Sequence, residues 1–455
     1  MIRFIPRSYW AVIAVALALI MSVLDGTIVN VALPTLSREF GTSPSTTIWI
    51  VNAYQLTITM SLLSFSALGD IYGYKRIFLI GTTIFCSTSL FCALSSSFAM
   101  LTVARILQGI GASAIMSVTT ALLRIIYPPQ YIGRGMSINA MVVAVSIAAG
   151  PSLAGAILSV ASWNWLFAIN VPLGICAIIT GYFLLPQNPC KDGPKRKFDK
   201  IGGISNALTF GLLIYSLEGI AHHENWRMIA LQVLLLLEIG TFFIRRQLRQ
   251  EVPILPLDLM RIPIFALSVL SSITSFTAQL LAMVSLPFYL QNVAGRNEVE
   301  TGLLLTPWPV ATILTAPVAG RLIEKYHPGL LGGIGMVVYA TGLLLLALLP
   351  GQPTNMDIAW RLMLCGMGFG LFQTPNNSTM ISAAPRSRSG GANGMQGTAR
   401  LLGQTLGTTF VALIFSVTSA TDSMPVCMYV AVGFALVAAI VSCLRISQPV
   451  PMRGR

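Results

Sequence analysis

Apolar residues fall in blocks separated by short polar breaks. A membrane-spanning helix needs about 20 mostly apolar residues. Fourteen blocks meet that length, at 9–33, 46–67, 77–97, 99–123, 135–159, 164–185, 201–220, 228–246, 264–290, 300–322, 329–350, 357–379, 392–416 and 425–446. The pattern predicts an all-α polytopic membrane protein. The first block carries Asp25 and runs on to Pro34 without a small-residue cleavage site, so it reads as a first span and not as a signal peptide.

Composition supports this reading. The 455 residues are 55% hydrophobic and only 9% charged, against about 25% charged in soluble domains. The net charge of +13 raises the question of nucleic acid, but the basic residues lie in short clusters between apolar blocks. Arg38, Arg227, Arg296 and Arg361 fall on one side of the predicted alternation, and Arg105 and Arg400 fall inside spans. Every other Lys and Arg of the 28 falls on the opposite side. Lys and Arg mark the cytoplasmic side of a membrane protein. Both termini are therefore expected in the cytoplasm, with an even number of spans and no nucleic-acid partner.

Most of the seven Cys lie within apolar blocks, among them Cys86, Cys92, Cys176, Cys365 and Cys443, and none shows zinc spacing. The His residues, His222, His223 and His327, fall in loops, and no metal site is expected. There is no Walker A sequence, no H-E-x-x-H and no hydrolase triad. Neither an enzyme nor a cofactor is expected.

Two halves resemble each other. S-A-L-G-D-I-Y-G-Y-K-R (Ser66 to Arg76) follows the second block and G-R-L-I-E-K-Y-H (Gly320 to His327) the tenth. Each sets an acid four residues after a small residue, Asp70 and Glu324. Paired glycines recur in the fourth and twelfth blocks. Two six-helix bundles are expected, at 1–185 and 264–455, with a basic linker and two extra helices at 186–263. Repeated halves with a midplane site are a transporter architecture.

Chemistry concentrates at a few positions. A carboxylate in hydrocarbon costs about 2.5–3.5 kcal/mol on insertion scales. Burial disfavours the charged form of Asp25, which makes it the candidate proton-coupling site. Arg105 lies at a similar expected depth and needs acceptors there. Glu218 and Glu238 belong to the extra helices and are expected to be structural. Asp70 is a candidate gate, with Lys75, Arg76 or Arg134 as expected partners and Gly73 permitting a tight turn. Candidate substrate-cavity residues are Asn30, Asn52, Tyr54, Gln55 and Gln108 in the first half. In the second they are Gln279, Gln291, Gln373, Asn376, Asn377, Arg400 and Gln404. Arg400 and Gln404 are one turn apart and share a face.

Several stretches make the resemblance specific. L-D-G-T-I-V-N-V-A-L-P (Leu24 to Pro34), R-I-L-Q-G-I-G-A-S (Arg105 to Ser113), G-P-S-L-A-G (Gly150 to Gly155) and W-N-W-L-F-A-I-N-V-P-L-G (Trp163 to Gly174) together resemble the major facilitator superfamily. Within it they are similar to the fourteen-span drug:proton antiporters, over nearly the whole chain. The chain departs from that pattern at Ser66, Ile71, Ser146 and Ala154. The resemblance implies a role for Arg105 in proton transfer. It implies that Gly150, Pro151 and Gly155 form an antiporter motif sealing the halves, and that Asp70 and Glu324 stand at gates. It implies a monomeric, proton-coupled exporter of amphipathic drugs or biocides, working by alternating access in a bacterial inner membrane. Two alternatives remain: a proton-coupled transporter of a specific metabolite, an anion contacted by Arg400 being one option, and a receptor or scaffold that transports nothing.

Overall fold

The computed structural model describes residues 7–128, 131–187, 198–221, 225–250, 253, 255–385 and 388–447. In the first half the chain forms α1 (Arg7–Phe40), α2 (Pro44–Thr47), α3 (Trp49–Tyr72), α4 (Tyr74–Ala93), α5 (Phe98–Ile126), α6 (Ile132–Val160), α7 (Trp165–Ala168) and α8 (Asn170–Leu184). Helices α9 (Lys200–Ala221) and α10 (Trp226–Leu248) follow. The second half comprises α11 (Pro263–Phe288), α12 (Glu298–Leu305), α13 (Pro307–Leu322), α14 (Pro328–Ala347), α15 (Asn355–Ala383), α16 (Ser389–Val417) and α17 (Ser423–Leu444).

Each of the fourteen expected spans is helical, but only twelve helical segments among the described residues are apolar and long enough to cross a membrane. The exceptions are α9 and α15. Their polar residues have a protein environment to explain them. Helix α15 packs between α13 and α14 and against α11, and α9 packs between α3 and α16. Asn206 of α9 is buried and donates to the Met60 carbonyl at 2.8 Å, so its amide nitrogen finds a protein acceptor away from lipid.

Helix association in lipid lacks a hydrophobic drive and depends on close approach of small residues. A Cβ on Gly109 would meet the Tyr54 carbonyl oxygen at 2.8 Å, and one on Gly111 the Phe85 nitrogen at 2.6 Å. The second half repeats this: a Cβ on Gly366 would collide with the Trp308 carbonyl, and one on Gly368 with the Tyr339 nitrogen. The glycine pair of α5 thus seats it on α3 and α4, as that of α15 seats it on α13 and α14. Many Ser and Thr hydroxyls donate to the carbonyl one turn back, Ser22, Thr57 and Thr82 among them, which satisfies them inside an apolar bundle.

The halves meet tightly at the end of the bundle remote from the chain termini. There α6 runs along α1 and α12: a Cβ on Gly150 would collide with Thr27 Oγ1, and one on Gly302 with the Pro151 carbonyl. A Cβ on Gly155 would meet the Glu298 carbonyl at 2.7 Å. Arg38 pairs with Glu298 at 3.1 Å, and Gln291 Nε2 donates to the Val31 carbonyl at 2.9 Å. At the terminus-bearing end the halves diverge around a cavity of about 990 Å³.

A buried ion pair beside a one-ended cavity

Asp25 is 1% exposed and Arg105 is 0% exposed. The Arg105 guanidinium donates from Nη1 to Asp25 Oδ2. Asp25 Oδ1 accepts from Gln108 Nε2 at 3.0 Å and from Asn170 Nδ2 at 2.9 Å. Arg105 and Gln108 are three residues apart on α5, so they share a face; Asn170 opens α8. The pair is thus held by three helices. An ion pair removed from water repays its desolvation only if the remaining donors and acceptors are met, and the carboxylate here accepts three hydrogen bonds.

Arg105 also has a second set of partners. Its Nε donates to the Ile50 carbonyl at 3.1 Å, and Nη1 also reaches Gln108 Oε1 at 2.7 Å. The guanidinium lies 4.0 Å from the centroid of Tyr54, whose hydroxyl donates to the Ser22 carbonyl at 2.9 Å. Nη2 has no hydrogen-bond partner among the described residues. Carbonyl, amide and ring acceptors all offset the desolvation of a buried guanidinium. Arg105 is thus held by contacts that do not involve Asp25 as well as by the carboxylate.

The network has no counterpart among the described residues of the second half. Taking Gly109 and Gly111 with Gly366 and Gly368, Leu362 stands where Arg105 does. Leu362 is buried in the same apolar cluster as Trp308, Tyr339 and Phe369, which pack edge to face with centroids 5.5 and 5.7 Å apart.

The cavity is lined on one side by first-half residues, apolar Leu19, Val23, Leu62 and Met116 with Ser66, Ser117, Thr119, Thr120 and Asn139 among them. On the other it is lined by Gln373 and Asn377 of α15 and Asn393, Gln396 and Arg400 of α16. Asp70, Arg124 and Arg388 lie toward the terminus-bearing end. Of the residues expected in the cavity, Gln373, Asn377 and Arg400 line it. The others do not. Tyr54 and Gln108 belong to the ion-pair network. Asn52 joins the halves, its Oδ1 accepting from Thr408 and its Nδ2 donating to Thr409 at 3.4 Å. Asn376 Oδ1 accepts from buried Arg445 at 2.7 Å, and Gln291 belongs to the remote seal. Asn30 and Gln55 are buried, each with a carbonyl oxygen lacking a partner among the described residues. Gln279 and Gln404 are partly buried off the lining.

The gate residues are arranged differently from the expectation. Gly73 adopts φ 101° in the turn between α3 and α4, a conformation natural to glycine. Asp70 accepts from the Tyr74 hydroxyl. Lys75 does not pair with it: its Nζ donates to the carbonyls of Tyr182 and Leu185, both at 2.8 Å, capping the end of α8. Arg76 and Glu324 are exposed, without an ion pair among the described residues. Arg134 lies in α6, but its side chain is outside the described set, as is that of Glu218. His222 and His223 also lie outside it. Glu238 is exposed on α10.

Two residues of consequence are not evident in the sequence. Asn170 lies within the Trp163–Gly174 stretch, where nothing local marks it as a partner of Asp25. Arg445, 1% exposed, donates to Ser268, Asn376 and Ser442 without a carboxylate partner among the described residues. It follows an apolar run near the chain terminus, a position where a basic residue ordinarily reaches water.

The chain is 55% identical over 445 residues to the uncharacterized transporter YebQ of Escherichia coli K12, covering 98% of this chain and 97% of that protein. It is 31% identical to the tetracenomycin C resistance and export protein of Streptomyces glaucescens, over 90% of this chain and 76% of that one. It is 29% identical to the riboflavin transporter RibZ of Clostridioides difficile, over 90% and 89%. A POT family transporter solved in complex with 5-aminolevulinic acid shares the fold, with TM-score 0.73 at 16% identity over 98% of each chain. The family model of the Major Facilitator Superfamily matches residues 15–408. The duplicated helical packing, the cavity between halves and these matches agree: this chain is a membrane transporter of the Major Facilitator Superfamily.

Proposed function

We propose that the protein is a proton-coupled secondary exporter of amphipathic small molecules, drugs or biocides among them, working by alternating access across a bacterial inner membrane. In this reading all fourteen helices span, both termini are cytoplasmic and the protein acts as a monomer. The supporting observation is the placement of Asp25. It sits on the helix that also forms the cavity wall, and it is held to Arg105 by groups that retain contacts if the carboxylate is protonated.

The cycle follows from that placement. With the terminus-bearing end open, substrate enters from the cytoplasm and presses on α1 at Leu19 and Val23. Closing that end opens the other, where the α1–α6–α12 seal and the Arg38–Glu298 pair must part. Asp25 takes a proton from outside and releases it inside. Each elementary charge crossing with the potential contributes about 2.3 kcal/mol per 100 mV, which drives export. The tetracenomycin C resistance and export relative supports export as the direction of transport.

A second reading is a proton-coupled transporter of one specific anionic metabolite; Arg400, set in the cavity wall without an ion pair among the described residues, favours it. Everted membrane vesicles test the proposed reading against both the metabolite transporter and the scaffold. Vesicles carrying the protein should accumulate a spread of amphipathic compounds under an imposed pH gradient, and a protonophore should abolish the uptake. Uptake of a single compound favours the metabolite transporter. No uptake above protein-free vesicles contradicts transport.

A further inference from the structure

The proposed exporter leaves the charge of its substrate open. The cavity has two unlike walls. On α16, Asn393, Gln396 and Arg400 recur at i, i+3 and i+7, and on α15 Gln373 and Asn377 recur at i, i+4, so both stripes lie on single faces. The facing first-half wall carries an apolar patch, Leu19, Val23, Leu62, Leu63, Met116 and Met136 among it, with the hydroxyls of Ser66, Ser117, Thr119 and Thr120 between. A ligand filling this space presents an apolar body to one wall and a polar group to the other.

The charges are unevenly placed. Arg388 is neutralised by a two-pronged pair with Asp258, at 3.0 and 2.6 Å. Among the described residues that line the cavity, Asp70 is the only carboxylate, and it stands in the last turn of α3, where Tyr74 donates to it. Arg400 lies deep. Contacts of Gly397 with Leu62 and of Thr405 with Thr59 set Arg400 level with the stretch between Thr59 and Leu62. That is about 14 Å along α3 from Asp70, at 1.5 Å per residue. Arg400 Nε has no hydrogen-bond partner among the described residues and no ion pair there either. Asp25, the buried acid of α1, is committed to Arg105 and does not line the cavity.

We propose that the cavity selects amphipathic organic anions over cations: a carboxylate, sulfonate or like acid group is taken by Arg400, with the carboxamides beside it as further donors. The apolar or aromatic body lies on the facing patch of Leu19, Val23, Leu62, Met116 and Met136, where the two methionines adapt to shape. A lipophilic cation placed there meets an unscreened guanidinium and no acid to pair with. The inference names the ligand class for the proposed exporter and rests on that reading only for the direction of transport. Exchange of one proton inward for one monovalent anion outward moves two charges, whereas proton-for-cation exchange moves none.

Binding to purified full-length protein in nanodiscs tests the charge preference without a proton gradient. Three matched probes are used: naphthalene sulfonate, its neutral sulfonamide and naphthyl-trimethylammonium. The sulfonate should bind at least about tenfold more tightly than the trimethylammonium probe. Arg400→Gln should erase that preference, and Arg400→Lys should keep part of it, because a point charge replaces a fork. Thermal unfolding of each variant confirms that it is folded. In proteoliposomes, sulfonate efflux should accelerate when a potassium–valinomycin potential is set inside-negative. A trimethylammonium probe bound as tightly as the sulfonate overturns the proposal, as does failure of all three to bind or an unchanged preference in folded Arg400→Gln. If anions bind but no proton moves, the proposed coupling fails and the ligand class stands.

Discussion

Val23 and Asp25 share one turn of α1 and face opposite ways. Val23 lines the cavity, while Asp25 is buried against Arg105. Two residues on an α-helix are separated by about 200° of rotation, so one short segment carries both the cavity wall and the ion pair. Any tilt or rotation of α1 that follows ligand entry acts on the Asp25–Arg105 contact without a chain of intermediaries.

The pair should behave as a unit in stability. Asp25→Asn leaves the Arg105 charge unpaired, and Arg105→Gln leaves the Asp25 charge unpaired. Removing one partner of a buried pair costs about 3–5 kcal/mol. The double variant should be less destabilised than the sum of the singles, because no charge is stranded. Thermal unfolding in detergent checks this; additive losses would mean that the two side chains do not depend on each other.

The remote seal should be intolerant of volume. Gly302→Ala drives a methyl into the Pro151 carbonyl, a backbone group that has no rotamer to yield. Overpacking of this kind costs about 1–3 kcal/mol. Gly320→Ala meets nothing within 4 Å and lies in α13, where replacing glycine gains about 0.5–1 kcal/mol. Unfolding temperatures should therefore fall for the first variant and hold or rise for the second.

Much of this is legible in sequence. The all-helical membrane architecture follows from hydropathy, and Asp25 and Arg105 stand out as charges set inside apolar runs, which the structure pairs. What is not legible is helical phase. Tyr54, Gln108 and Asn52 lie on helices buried on several sides, so a polar residue there faces the cavity, the other half or a neighbouring helix with no local signal to choose. Asn376 shows the consequence: its polarity suggests the cavity, yet it serves Arg445, a charge 69 residues away in sequence. The polarity of α15 likewise has its reason in protein neighbours, α11, α13 and α14, that the sequence alone does not show.

Asn376 supplies a further test. Its Oδ1 accepts from Arg445, and its Nδ2 donates to the Ser268 carbonyl at 3.3 Å. Asn376→Leu removes an acceptor from a buried guanidinium and should destabilise by about 1–3 kcal/mol. Asn376→Asp sets a carboxylate in the same place and should raise the unfolding temperature at neutral pH.

Acid should loosen the start of α14. His327 caps that helix, its Nδ1 accepting from the Gly329 N–H at 3.0 Å. Burial, with the nearby Arg445 charge, holds its pKa below the ordinary histidine value. A base with a depressed folded-state pKa contributes stability that is full above its unfolded value, about 6.5. That contribution is lost as pH falls through the folded value. Wild type should lose thermal stability on going from pH 7.5 to 5. His327→Asn, which keeps a capping acceptor and does not titrate, should lose less over the same interval.

Coupling is most directly tested by proton flux. Purified protein is reconstituted in liposomes with an imposed pH gradient, and internal pH is followed as naphthalene sulfonate or a lipophilic drug is added. Wild type should move protons on substrate addition. A folded Asp25→Asn protein that still binds substrate should move none above protein-free liposomes. Equal substrate-triggered flux in both proteins would contradict the account, and would place the proton site elsewhere than the buried carboxylate of α1.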